Sequence, residues 1–123
     1  MNAKESLFYA LGLLSYAIAN ADGKVQKEEK ENFHHILKEQ FDTISTEIDT
    51  AEIIFEILRR DAIDPKTAYN WALNQIKLYS HRLDDNLKKG FIATIKKVAE
   101  IYPPVEPEEK TLIQQFEQDI HKI

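Results

Sequence analysis

Apolar residues recur at helical spacing along most of the chain, and nowhere do they alternate with period two over the length of a strand. Leu7, Leu11, Leu14 and Ile18 form one stripe, with Phe8, Ala10 and Ala17 beside it. They predict a first helix from Ala3 or Ser6 to Ala21, apolar nearly all round and therefore central and buried. Gly12 within it marks a close helix crossing. A second helix, starting near Lys27, places Phe33, Ile36, Leu37 and Phe41 on a buried face and Lys30, Glu31, Lys38 and Glu39 outside. Asp42 to Asp49 reads as a polar connection with a short turn capped by Ser45 or Thr46. Asp49-Thr50-Ala51-Glu52 then has the form of a capped start, and Ile53, Ile54, Ile57 and Leu58 predict a third helix ending by Asp61.

Asp64-Pro65 is the clearest helix start in the chain, because Asp caps and Pro is tolerated at the first helical position. The fourth helix carries Ala68, Trp71, Ala72, Gln75, Ile76, Tyr79 and Leu83. Asp84 or Asp85 opens a fifth, with Leu87, Phe91, Ile95, Val98, Ala99 and Tyr102 apolar. Gly90 inside it costs about 1 kcal/mol relative to Ala, which points to close packing there. Pro103-Pro104 stops this helix, and Pro107 opens a sixth with Leu112, Ile113, Phe116 and Ile120. The expectation is an all-α fold: a single domain over 1–123, a compact, roughly antiparallel bundle of six to seven helices with short connections.

The turn after the first helix organises the rest. In Ala19-Asn20-Ala21-Asp22-Gly23-Lys24-Val25-Gln26-Lys27-Glu28-Glu29, Gly23 takes a positive φ without steric cost and Asp22 bonds backbone N–H groups just ahead. Val25 drops into the core, and Glu28 and Glu29 fall in the first turn of the next helix, where the dipole favours negative charge. The layout returns later: Ala19…Val25-Gln26-Lys27-Glu28-Glu29-Lys30…Phe33…Ile36 aligns without a gap on Ala99…Val105-Glu106-Pro107-Glu108-Glu109-Lys110…Ile113…Phe116. An internal duplication is expected, with halves near 1–60 and 65–123 about a pseudo-two-fold axis.

Ala21-Asp22-Gly23-x-Val25-x-x-x-Glu29 resembles the signature of the tellurite-resistance TerB-like family, a duplicated all-helical domain, and the resemblance covers most of the chain. It implies a cytoplasmic, non-enzymatic binding or scaffold module of a bacterial stress or tellurite-resistance system. It also implies acidic residues near both turns that hold a divalent metal ion or a basic partner. The second half departs from the pattern, because Tyr102-Pro103-Pro104 stands where Ala-Asp-Gly is expected and only Glu109 matches. The loss of the second Asp-Gly favours a protein partner, met through Glu28, Glu108 and Glu109, over an ion. TerB-like domains also occur attached to J-domains, so a co-chaperone-like role is a further implication.

Composition narrows the field. Hydrophobic residues make up 43% and charged residues 30%, as in folded globular proteins. With no cysteine, a disulfide framework, thiolate chemistry and cysteine-ligated zinc are excluded. A net charge of −5 gives no global basic field for nucleic acid. Lys88-Lys89 and Lys96-Lys97 read as a solvated helix face. The apolar run from Leu7 to Ala21 imitates a signal peptide, but its removal would cut the organising turn, and it is too short to span a bilayer, which needs about 20 apolar residues.

As a metal site, Asp22 and Glu29 are the leading candidates: Asn20, Asp22, Gly23 and Glu29 match part of an EF-hand loop. Ile18 occupies the first ligand position, so the site reduces to a weak oxygen-ligated cation completed by water or Glu109, or to a turn clasped by hydrogen bonds. His35 stands four residues from both Glu31 and Glu39, a spacing that fits surface ion pairs and, with a third ligand, a metal. No Ser-His-Asp pattern, phosphate loop or His-Glu-x-x-His motif is present. A small metal-dependent hydrolase built on the same carboxylates is the rival in another class. Most of Tyr9, Tyr16, Tyr69, Trp71 and Tyr79 are expected in the core, with Tyr9 or Tyr69 lining an exposed groove for a partner helix.

Overall fold

The computed structural model describes residues 2–20, 30–41, 45–101 and 107–123, with the side chains of 30–32, 45, 46 and 107–109 outside that description. Those residues form six α-helices and no strand. They are α1 (Ala3–Ala19), α2 (Lys30–Gln40), α3 (Ser45–Asp61), α4 (Pro65–Leu78), α5 (Asp85–Ile101) and α6 (Pro107–His121), with a short 3-10 turn at Ser80–Arg82 between α4 and α5. The expected all-α bundle is what the chain builds.

α1 is the axis of the bundle. Apart from Tyr9, each of its residues from Ser6 to Ala19 is buried, and it packs chiefly on α3 and α4, with α5 and α6 also against it. Each Leu or Phe buried along it is worth about 1.5–3 kcal/mol of transfer from water. Its start is fixed by Asn2, whose Oδ1 accepts the Glu5 backbone N–H at 2.8 Å. It ends at Ala19, two residues short of the expected boundary. The close crossing at Gly12 is real: a Cβ there would lie 2.5 Å from the Ala51 carbonyl oxygen of α3.

Two aromatic clusters tie the other helices to this axis. Phe8 of α1, Phe41 after α2 and Phe91 of α5 meet edge to face, with centroids 4.8 Å (Phe8–Phe41), 6.0 Å (Phe8–Phe91) and 6.1 Å (Phe41–Phe91) apart. Gly90 makes room for this, since a Cβ there would stand 2.6 Å from Phe41 Cε1. Phe33 of α2 stacks on Phe55 of α3 at 4.6 Å, and Tyr16 meets Phe55 edge-on at 6.2 Å. Such ring pairs add about 0.5–1.5 kcal/mol each beyond their area.

α3 corrects the reading of the sequence twice. It starts at Ser45, so Asp42 to Asp49 is not simply a connection and Asp49-Thr50-Ala51-Glu52 is not its cap. The reason is Ile48, which is in helical phase with Ala51, Phe55 and Leu58 and buries with them. That phase, rather than the one through Ile53 and Ile57, faces α1, and Ile53 is left 58% exposed.

α3 closes in a Schellman motif, the Ile63 N–H reaching the Leu58 carbonyl at 3.2 Å and the Ala62 N–H the Arg59 carbonyl at 3.3 Å. Ala62 takes the left-handed conformation, φ 52°. α4 follows at once, capped by Asp64, which accepts the Thr67 N–H at 3.1 Å, with Pro65 first in the helix. It stops at Leu78, so Leu83 belongs to the connection rather than to α4, yet Leu83 is buried there. Trp71 was expected in the core but is 48% exposed. The Asp84 carboxylate caps α5 by accepting the Leu87 N–H at 2.8 Å. The lysine stripe of α5 is solvated as expected, Lys96 pairing with Glu117 of α6 at 2.9 Å and Lys97 with Glu100 at 3.5 Å.

Candidate functional site

Asp22, Glu28 and Glu29, with the Asp-Gly turn itself, lie outside the described residues, as does the start of the second helix near Lys27. Glu108 and Glu109 occupy the first turn of α6, and their side chains lie outside the description. Among the described residues, no group of three or more His, Asp or Glu stands close enough to hold a metal ion.

The other predicted positions are rearranged. His35 is exposed, and no described ion pair joins it to Glu39. Its neighbour His34 is the one that engages, its Nδ1 meeting Glu52 Oε1 of α3 and so bridging α2 to α3. Tyr69 is buried rather than exposed: it is 3% exposed, and its hydroxyl reaches Asp119 of α6. Tyr9 is partly buried against the core.

The outward face of α3 joins apolar exposure to charge. Asp49, Glu52, Ile53, Glu56 and Ile57 share that face at helical spacing and line a groove of about 380 Å³. Ile53 and Ile57 form its apolar middle, with three carboxylates around them. Glu52 carries the His34 contact and Glu56 pairs with Arg59, while Asp49 is exposed. The sequence places Ile53 and Ile57 on the third helix together with Ile54 and Leu58, without saying which of them face inward. The signal that separates Ile53 and Ile57 from the core is the buried series Ile48, Ala51, Phe55, Leu58, which already supplies α3 with a complete inward stripe.

The chain has no match among protein families, curated proteins or solved structures.

Proposed function

We propose that this chain is a non-enzymatic binding module of the TerB-like kind, cytoplasmic, which takes a protein partner in a bacterial stress or tellurite-resistance system. The observation that carries the partner reading is the α3 face, where Ile53 keeps 58% of its surface in water inside a groove rimmed by Asp49, Glu52 and Glu56. An apolar centre within a charged rim is the anatomy of a surface that docks another protein. Asp49, exposed on that rim, favours a basic counterpart, because matched potentials steer encounter and reject acidic surfaces. The resemblance of Ala21-Asp22-Gly23-x-Val25-x-x-x-Glu29 to the TerB-like signature supports the setting. The loss of the second Asp-Gly, where Tyr102-Pro103-Pro104 stands, favours the partner over a divalent ion at Asp22 and Glu29.

The test is a pair of variants on exposed positions, Ile53→Lys and Asp49→Lys, each first checked for unchanged helicity and Tm. A partner captured by the wild-type chain and then purified should bind each variant at least about tenfold more weakly, a loss of roughly 1.4 kcal/mol. A partner that binds both variants as tightly as the wild type overturns the assignment of this face.

A further inference from the structure

A second concavity, on a different surface from the α3 groove, lies where the start of α1, the end of α2 and the start of α5 meet, and its volume is about 740 Å³. That lies within the roughly 300–1,000 Å³ of small-molecule sites. Its apolar lining is Phe8, Phe41 and Leu87, the two phenylalanines being the edge-to-face pair at 4.8 Å. Its cations are Lys4, in the first turn of α1, and Arg82, at the end of the 3-10 turn. Both are exposed, and neither forms an ion pair among the described residues.

Two basic side chains at one apolar cleft, without carboxylate partners among the described residues, stand out in a chain of net charge −5. One acidic side chain, Asp84, also lines the cleft, and its carboxylate is engaged with the Leu87 N–H at 2.8 Å. The described charges of the lining, Lys4 and Arg82 against Asp84, therefore leave one positive charge, which neutralises a monoanion and would leave a doubly charged phosphate with one uncompensated charge to desolvate against the apolar lining. An arginine guanidinium presents a planar fork of donors that fits a carboxylate, and the apolar lining suits a hydrocarbon body.

We propose that this cleft binds a small amphipathic monocarboxylate, its carboxylate held by Lys4 and Arg82 and its aliphatic or aromatic body against Phe41 and Leu87. The site does not depend on the partner surface of α3.

The test titrates the protein with octanoate, 1-octanol, octylamine and inorganic phosphate, followed by backbone amide NMR shifts and calorimetry, against the double variant Lys4→Gln, Arg82→Gln. Octanoate should bind saturably below its micellar range and shift the amides of Lys4, Phe41 and Leu87. Octanol should bind at least about tenfold more weakly, as should octanoate to the double variant, since each lacks the charged hydrogen bonds between the carboxylate and Lys4 and Arg82. Both substituted residues are exposed, so the variant should keep its Tm. Absence of saturable octanoate binding, equal binding of octanol, an undiminished affinity in the double variant, or phosphate binding as tight as octanoate would each overturn the proposal.

Discussion

Tyr69 donates its hydroxyl hydrogen to Asp119 Oδ2 across 2.7 Å, joining α4 to α6 between residues fifty apart in the chain. The tyrosine is 3% exposed, so its hydroxyl has traded water for this one acceptor. A hydrogen bond to a charged group contributes about 1.5–3 kcal/mol. Tyr69→Phe keeps the ring and its packing and removes only the donor. The variant should lose roughly 1–2 kcal/mol, the half-buried carboxylate recovering part of its hydration, and urea unfolding should show a lower midpoint with unchanged slope.

The same bond sets a pH dependence. Burial first, then the Asp119 hydrogen bond and charge, push the Tyr69 phenol well above its ordinary value. Tyr16 is raised more modestly: burial dominates, the Asn20 hydrogen bond opposes it and the Asp64 charge adds to it. In the unfolded chain both phenols release their protons near pH 10, while the fold retains them. Their contribution is therefore complete below about pH 10 and declines above it, by up to about 1.4 kcal/mol per pH unit for each tyrosine. In Tyr69→Phe one of the two titrations is gone. The stability difference between wild type and variant should narrow as the pH is raised from about 9 to 11, where a difference constant with pH would refute the assigned shift.

Local chemistry made most helix boundaries legible. Asp64-Pro65, Asp84 and Pro107 each act within one turn of chain, and the structure places helix starts at all three. The start of α3 was not legible, because Asp49-x-x-Glu52 imitates a cap while Ile48 continues the buried stripe in front of it. Which stripe of α3 faces α1 is a tertiary outcome, and with it the exposure of Ile53 and Ile57. The His34–Glu52 bridge and the Lys4–Arg82 cleft likewise join residues remote in sequence, where spacing carries no signal. The Asp22-Gly23 turn was legible as a motif, and its geometry lies outside the described residues.

The two helical glycines should respond differently to Ala. A Cβ at Gly12 meets backbone, the Ala51 carbonyl oxygen at 2.5 Å and then Ile54 Cβ at 3.1 Å, so α1 and α3 must separate. At Gly90 the nearest atoms, from 2.6 Å, belong to the Phe41 ring, which turns about its own side-chain bonds. Both substitutions gain about 1 kcal/mol of helix propensity. Overpacking typically costs about 1–3 kcal/mol, and a backbone neighbour puts Gly12→Ala at the upper end. Gly12→Ala should be destabilised by about 2 kcal/mol and Gly90→Ala by less than about 1 kcal/mol, ranked by denaturant midpoints.

Ala62 is the inverse case. It sits at φ 52° in the Schellman turn that ends α3, a conformation that disfavours a residue with a Cβ by about 1–2 kcal/mol. The turn is held there from outside: the Ile63 carbonyl accepts the Tyr16 hydroxyl at 2.6 Å, and Asn20 Nδ2 donates to that same hydroxyl at 2.9 Å. Glycine at 62 removes the strain but enlarges the unfolded ensemble by about 0.4–1 kcal/mol. The net expectation for Ala62→Gly is a gain of roughly 0.5–1 kcal/mol, seen as a higher Tm with no change in helicity.

Glu47 poses the opposite problem to Tyr69: it is 4% exposed, and its Oε2 has no hydrogen-bond partner among the described residues. A buried polar group without a partner costs about 1–3 kcal/mol. Against that, Glu47 lies in the first turn of α3, where the helix dipole returns about 0.3–1 kcal/mol to a negative charge. The burial cost is the larger of the two. Glu47→Met, similar in length and unbranched, should therefore stabilise the fold by about 1 kcal/mol. Glu47→Gln separates the two effects, since it abandons the dipole interaction yet still buries an amide without a partner, and it should gain less than Met. A Met variant less stable than wild type would show that the carboxylate contributes more through the helix terminus than it loses by burial.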